Sequence, residues 1–391
     1  LTFNGTGGSW LFGDELDASS ITLTLTAGTL NTNDQTVSIS TFVPANSASA
    51  ILTLGNSSVT FAGTWNNSGT TAWVLSANTS TITGSSVSGK FGGGGQTTYN
   101  NVVLGGYRIT DISGANTFVN LTRTGAASRG DGIQFYNNQT ITGTLSLQGS
   151  SPINRLFIYS STAGSVVSLT AATVDIDNVD FMDITAAGTA SPFTGTSLGD
   201  CGNNTNISTD SPATQTFIYG GSNYNWSTAG NWSGNRVPLP QDDVAFSTIS
   251  AGQSINLDMP RLGKNISFAE ASNTVTVLMN SVDINTTIGY SIFGSLNLNQ
   301  VSTLTNSRYV FFRGRSNGSL TSNSKQFGGS VYVYMPGATL TLSDNFAHSG
   351  GADILSVQYG TLTAAASVTT YRLTSATGTT VNMGSGTWTA Y

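Results

Sequence analysis

The sequence predicts an all-β fold, a right-handed parallel β-helix or β-solenoid arranged as two consecutive solenoid segments. Three observations support this prediction: apolar residues alternate with polar ones, turn residues recur at short intervals, and a short phrase repeats along the chain. Composition agrees, because three Lys and two Glu are very few of the residues that favour helices, whereas Thr and Val, which favour strands, are abundant. Helix is therefore nearly excluded as the main element.

The alternation has the period of a half-buried β-strand, in which successive side chains point to opposite faces. Gly, Asn, Asp and Ser interrupt these strands at intervals of about ten residues, which is the turn chemistry of a sandwich, barrel or solenoid. The clearest examples are Ile21, Leu23 and Leu25, then Val37 and Ile39, then Ile141, Leu145 and Leu147.

The repeated phrase is a Gly, a small hydroxyl residue and a Leu. In the second half its copies are about 19 to 24 residues apart, which is close to one coil of a β-helix. A series of immunoglobulin-like or jelly-roll sandwiches is the alternative, but each sandwich needs about 100 residues. The step therefore favours a solenoid. The copies begin at Gly28, Gly143, Gly294, Gly318 and Gly360, with a looser copy at Gly337.

A boundary between two segments is visible where alternation fails, between residues 200 and 212. Trp226, Trp232, Pro238 and Pro240 follow, and they favour an ordered junction over a flexible tether. The predicted division is residues 1–218 as a first solenoid domain, 219–245 as a Trp/Pro junction and 246–391 as a second solenoid domain.

Charge and cysteine content exclude several classes of function. Only 8% of residues are charged and the net charge is −6, so we expect no nucleic-acid partner. The sequence has no run of 18 apolar residues, so we expect no membrane insertion. One Cys and one His allow neither an intrachain disulfide nor a structural zinc site, and no cofactor is predicted. The chain begins at Leu1 without an initiator Met, which suggests a mature or partial product.

Four carboxylates between residues 174 and 184 form the densest acidic cluster of the sequence. Asp175 and Asp177 are expected on one face of a strand, with Asp180 and Asp183 following. Paired carboxylates can cleave glycans or bind calcium. A solvated acidic edge that discourages aggregation is the favoured interpretation, because the sequence gives no carboxylate separation.

The remaining candidates for chemistry are weaker. Asp242 and Asp243 follow the junction prolines and are explained equally well by a turn or a cation site. His348 has no identifiable Ser or Asp partner and is expected in a surface turn. Cys201 lacks basic neighbours, so we expect a buried, inert thiol. Gly92–Gly95 lacks the Lys and Ser/Thr of a phosphate loop and is expected to form a flexible turn. No catalytic, metal-binding or cofactor-binding residue is assigned.

Arginine and aromatic residues are interleaved in one short segment, which could stack against sugars or bases. An aromatic core with outward-facing arginines is the favoured interpretation. The segment contains Arg308, Tyr309, Phe311, Phe312, Arg313 and Arg315. Asn-x-Ser/Thr triplets, including those at Asn56, Asn120, Asn225 and Asn231, arise by chance in so polar a chain and do not indicate a eukaryotic secretory route.

Several segments resemble Thr/Gly-rich β-solenoid structural proteins of bacteriophage particles. These segments are residues 1–10, 23–32, 98–104 and 183–189, and residues 226–243 are similar to spacers in large bacterial surface and autotransporter-like β-helices. The resemblance covers most of the chain and carries over no site residue.

That resemblance implies a non-enzymatic fibre, spike or capsid decoration of a virus particle, used for display or host-surface attachment. The expected location is the virion or the extracellular space. The expected partners are other virion proteins or copies of the same chain in a homo-oligomer, and cell-surface glycans. A secreted bacterial adhesin or surface filament and a glycan-cleaving tailspike are the alternatives.

Overall fold

The chain folds as an all-β solenoid of about 17 turns in a computed structural model. The structure describes residues 1–66, 72–85, 89–95, 98–221, 223–250, 252–284 and 289–391. Strands of successive turns pair in parallel, and a three-residue 3₁₀ helix, Ala229–Asn231, is the only helix among the described residues. The predicted fold class is confirmed, while its right-handedness stays a prediction.

The chain divides into two compact units. The first comprises Leu1–Leu198 and Asn204–Thr209, and the second comprises Gly199–Asn203 and Asp210–Tyr391. The segment 219–245, predicted as a junction, lies within the second unit. The separate domain assignments made from the sequence stay a prediction.

The first eighteen strands form one sheet that winds through successive coils. They are β1 (Thr2–Leu11), β2 (Leu16–Asn31), β3 (Val37–Pro44), β4 (Ala50–Thr53), β5 (Ser58–Phe61), β6 (Thr64–Trp65), β7 (Val74–Ser76), β8 (Thr81–Gly84), β9 (Lys90–Gly92), β10 (Thr98–Leu104), β11 (Ile109–Ser113), β12 (Thr117–Thr124), β13 (Gly132–Phe135), β14 (Gln139–Gln148), β15 (Leu156–Ser160), β16 (Val167–Met182), β17 (Ile184–Ala187) and β18 (Thr196–Asp200).

The second unit is built from three sheets, of twelve, three and four strands. The twelve-stranded sheet contains β19 (Thr214–Phe217), β20 (Asp243–Phe246), β22 (Arg261–Gly263), β23 (Ile266–Ser267), β25 (Tyr290–Ile292), β26 (Leu296–Asn297), β28 (Val310–Phe312), β29 (Gly318–Thr321), β31 (Val331–Leu342), β33 (Ile354–Ala364), β35 (Arg372–Ser375) and β36 (Thr380–Asn382). The others contain β21 (Ser254–Asn256), β24 (Val275–Met279) and β27 (Val301–Asn306), and β30 (Gln326–Phe327), β32 (Phe346–His348), β34 (Val368–Thr370) and β37 (Trp388–Ala390).

The register between coils confirms the repeat length that the sequence predicts. Thr2 pairs with Thr24, 22 residues later, and Leu296 pairs with Leu320, 24 residues later. The coils are not uniform: Val167 pairs with Ile184 after 17 residues, whereas Arg261 pairs with Ser291 after 30. Longer coils therefore carry their extra residues in turns while keeping the strands in register.

In-register pairing stacks the inward side chains into continuous apolar columns. The rings of Phe42 and Trp65, in adjacent coils, have centroids 4.5 Å apart. Fully burying each such side chain contributes about 1.5–3 kcal/mol, so stability accumulates coil by coil. One column of the first unit runs through Val37, Val59, Ile82, Val102, Leu121 and Leu145. One column of the second unit runs through Val244, Ile266, Leu296, Leu320, Leu342 and Ala364.

One member of the predicted alternation does not enter the core. Leu23 and Leu25 are buried, as expected, but the side chain of Ile21 is 44% exposed. The register between β2 and β3 shifts between Ala18 and Thr22. A bulge of this kind breaks the two-residue alternation, which places Ile21 outside.

The Trp/Pro segment is ordered, as its composition predicted. Trp226 and Trp232 are completely buried or nearly so, and their ring centroids lie 4.8 Å apart. The indole N–H of Trp232 donates to the carbonyl of Trp226 at 2.8 Å. These two residues form an aromatic core with Phe217 and Phe246.

The Gly of the repeated phrase marks a corner where the backbone of the preceding coil comes very close. A Cβ atom at Gly360 would lie 2.1 Å from the carbonyl oxygen of Met335, and one at Gly318 would lie 2.3 Å from that of Gly294. Such distances exclude any side chain. The same close approach to the preceding coil's backbone occurs at Gly28, Gly143 and Gly294, whereas the looser copy at Gly337 has nothing within 4 Å.

We predict that Gly318→Ala destabilises the protein by about 1–3 kcal/mol, because the added methyl group forces two backbones apart. Gly351→Ala is the matched control, since nothing lies within 4 Å of a Cβ at that position. Thermal unfolding followed by circular dichroism measures both. Equal melting temperatures for the two variants would contradict the close approach at this corner.

Candidate functional site

The four carboxylates of the acidic cluster do not converge. Asp175 is exposed and Asp177 is partly exposed, two residues apart on β16, as predicted. Asp180 is buried and forms an ion pair with Arg155, whose Nη2 lies 2.7 Å from Oδ1. Asp183 is also buried and accepts a hydrogen bond from the backbone N–H of Gly164 at 3.0 Å. The expectation of a wholly solvated acidic edge is therefore wrong for Asp180 and Asp183.

The Asp242–Asp243 pair supports a turn. Asp242 is buried and accepts hydrogen bonds from the guanidinium of Arg236 and from the backbone N–H groups of Ala213 and Leu239. Asp243 is exposed and accepts one from the side-chain amide of Asn265 at 2.8 Å. Asp242 therefore cross-links three segments of backbone. No group of three or more potential metal ligands is found among the described residues.

Cys201 is buried, as predicted, and the four glycines of Gly92–Gly95 are packed instead of flexible. A Cβ at Gly92 would lie 2.1 Å from the carbonyl oxygen of Asn66, and the hydroxyl of Tyr99 donates to the carbonyl of Gly93 at 2.6 Å. The segment is thus a tight corner in which Gly is needed for close approach.

His348 is buried on β32, and the prediction of a surface turn is wrong. Its side chain packs edge-on against Phe346, and its Nδ1 lies 2.9 Å from the hydroxyl of Thr370. Burial lowers the pKa of the imidazole from 6.5 to about 4. His348 is therefore a neutral core residue at pH 7.

The arginine and aromatic segment has a different arrangement from the favoured prediction. Phe312 does point into the core, where it stacks between Ile292 and Val333. Phe311, the neighbour of Phe312 on the strand, points to the opposite face with Tyr309. The prediction of an aromatic core is therefore right for Phe312 and wrong for Tyr309, because strand alternation separates the side chains.

The outward residues continue into the next two coils as an aromatic ladder. Phe311 and Tyr332 are paired in register, and their rings stack with centroids 5.0 Å apart and planes 18° apart. Tyr334, two residues further along β31, faces Tyr359 of β33 at 5.6 Å. The aromatic ladder comprises Tyr309, Phe311, Tyr332, Tyr334 and Tyr359.

The sequence analysis missed Tyr332, Tyr334 and Tyr359. Residues 331–335 read as an apolar strand, and the two tyrosines in it occupy the outward positions. Adding one coil length to Phe311 leads to Tyr332, so the repeat step was the signal that could have found the ladder.

Cationic side chains lie against the aromatic ladder. The guanidinium carbon of Arg313 is 4.6 Å from the ring centroid of Phe311 and 5.7 Å from that of Tyr334. Burial raises the pKa of Tyr334, and the neighbouring Arg313 opposes this rise. Burial also raises the pKa of Tyr332, with the charge of Arg372 among the opposing effects. Both phenols are therefore protonated at neutral pH and able to donate hydrogen bonds.

A polar groove adjoins one end of the ladder. It has a volume of about 420 Å³ and is lined by residues 336–339, 358–361 and 377–380, which come from three successive coils. Gly337, Gly360 and Gly378 all have positive φ angles there. Tyr359 belongs to both the ladder and the groove lining. We call this the Thr/Gly groove.

No known family model, no curated protein and no solved structure matches this chain. Among the described residues, no helix has the length and apolar character needed to cross a membrane.

We predict that His348 makes the protein less stable in acid. The unfolded chain takes up a proton on this side chain near pH 6.5, whereas the native state does so only near pH 4. Its contribution to stability is therefore complete above pH 6.5 and is lost as the pH falls to 4, by at most about 3 kcal/mol.

His348→Gln is the test, because Gln can keep a hydrogen bond to Thr370 but does not titrate. The free energy of unfolding in urea, measured at pH 7 and pH 4.5, should fall more steeply for the wild type than for the variant. Parallel pH dependence in the two proteins would contradict a buried neutral imidazole.

Proposed function

We propose that this chain is a non-enzymatic structural protein of an extracellular fibre, spike or adhesin, and that its assembly is a virus particle. The observation that carries the proposal is the register of the coils, which extends surface features over several turns. A β-solenoid fold is compatible with a fibre, spike or adhesin. The virus particle is proposed from the resemblance of the sequence to phage solenoid proteins.

The roles of the polar side chains support a structural function. Arg155 and Asp180, like Arg123 and Asp131, form buried ion pairs. Removing one partner of such a pair is strongly destabilising, which is typical of a structural brace. The carboxylates that the sequence suggested for glycan cleavage are thus used in part to hold coils together, which supports attachment over cleavage.

The composition supports work outside a cell. Few charges are present, and the outer positions carry Thr, Ser and Asn, as in the column of Thr98, Thr117, Thr140 and Thr170. These side chains pack on a pleated surface and hydrogen-bond without salt-sensitive charge. The partners that we propose are other virion proteins or further copies of this chain.

We predict that the chain copurifies with virus particles. Particles banded in a density gradient would be probed with an antibody against the chain by immunogold electron microscopy. Labelling at a fixed place on the particle is the expected result. Labelling of bacterial cell surfaces in cultures free of particles would overturn the virion setting and favour a bacterial adhesin or surface filament.

The attachment role is tested separately with the purified chain. Fluorescently labelled protein should bind intact host cells without releasing reducing sugars from their surface polysaccharides. Release of reducing ends that is lost in Asp177→Asn would instead indicate a glycan-cleaving spike. Absence of any binding to cells would contradict the attachment role.

A further inference from the structure

We propose that the aromatic ladder and the Thr/Gly groove together bind an acidic cell-surface polysaccharide. This inference rests on the proposed attachment function and names the ligand and the residues that bind it. It concerns one continuous surface on β28, β31, β33 and the coil that follows.

The first argument is the distribution of charge along the chain. Five of the 13 Lys and Arg residues but only two of the 19 Asp and Glu residues fall between positions 301 and 391. This part therefore has three excess positive charges in a chain whose net charge is −6. Such segregation favours a negatively charged ligand on this part of the second unit.

The second argument is the position of those cations. Arg313 lies over two rings of the ladder, and Arg372 is exposed and close enough to Tyr332 to influence its pKa. Arg308 precedes Tyr309 and donates to the backbone carbonyl of Ser281 at 3.3 Å. A guanidinium matches the geometry of a carboxylate with two parallel hydrogen bonds. The carboxylates of uronic or sialic acid residues fit this arrangement.

The third argument is the combination of rings and hydroxyls. The ladder stacks along the solenoid, so the phenol groups of Tyr332 and Tyr334 form a row that is partly exposed to solvent. Neutral phenols donate and accept hydrogen bonds, as sugar hydroxyls do. Aromatic residues with polar tips suit a surface on which apolar and polar contacts alternate.

Tyr359 connects the ladder to the groove. Its ring is inclined by 46° to that of Tyr334, so the two rings are not stacked face to face. It also lines the Thr/Gly groove, where Thr339, Thr361 and Thr380 follow one another in register. The groove volume of about 420 Å³ lies in the range of small-molecule sites. A polysaccharide can therefore lie across the ladder with one end in the groove.

A single-stranded nucleic acid is the competing anionic ligand with stackable rings. Its binding relies on neutralising many consecutive phosphates with Lys and Arg, and the chain has only 13 such residues in 391. Spaced carboxylates need fewer cations, which favours the polysaccharide.

The test uses the full chain and defined probes. Binding of polygalacturonate, alginate and polysialic acid would be measured by biolayer interferometry, with dextran as the neutral polysaccharide and oligothymidylate as the nucleic acid. We expect binding to at least one acidic polysaccharide that weakens as salt is raised, and none to dextran. Binding of oligothymidylate alone would overturn the proposal in favour of a nucleic-acid ligand.

Two variants locate the site. Tyr359→Ala and Arg372→Gln should each weaken polysaccharide binding by about tenfold, as expected for central aromatic and arginine contacts. Lys264→Gln removes an exposed charge elsewhere in the second unit, and Tyr136→Ala removes a tyrosine that is 48% exposed in the first unit. Both controls should bind as the wild type does. Melting temperatures establish that all four variants are folded.

The outcomes separate this inference from the proposed function. Binding of the wild-type chain to host cells without binding to any acidic polysaccharide would overturn the inference and leave the attachment role intact. Loss of cell binding altogether would contradict the attachment role itself. Equal weakening in the site variants and the controls would show that the ladder is not the site.

Discussion

The structure depends on backbone hydrogen bonding between successive coils in parallel register. Each coil uses its neighbour to satisfy its peptide groups, so the chain is stable only when strands about 22 residues apart lie side by side. Once that register is set, identical positions of successive coils form columns. The apolar core, the tight corners and the outer polar face all follow from this pairing.

The same constraint explains the roles of the polar residues. A corner where two backbones approach closely has room only for Gly, which accounts for the repeated phrase at Gly318 and Gly360. A carboxylate near such a corner is buried as the coils close, and Asp180 and Asp242 are then stabilised by Arg155 and Arg236. In a chain with so few charges, these ion pairs serve packing and leave few charged groups for chemistry.

The aromatic ladder shows how a solenoid can build a binding surface from residues that are distant in sequence. Tyr309 and Tyr359 are 50 positions apart but belong to one row of rings, because each coil adds its contribution beside the last. The rigid register holds these side chains in place, so little ordering is needed when a ligand binds. A non-enzymatic attachment role fits such a surface, since it requires position and affinity but no moving part.

The sequence by itself determined the fold class, the coil length and the glycine corners, because alternation and spacing are local properties of the chain. It also predicted that Cys201 is buried and that the two tryptophans near residue 230 are ordered. Only the tertiary structure decided that Ile21 lies outside the core, that His348 lies inside it, and that Phe311 faces Tyr332. The physical reason is register: a bulge or a coil of unusual length changes which face a side chain takes, and only the pairing of complete coils shows where that happens.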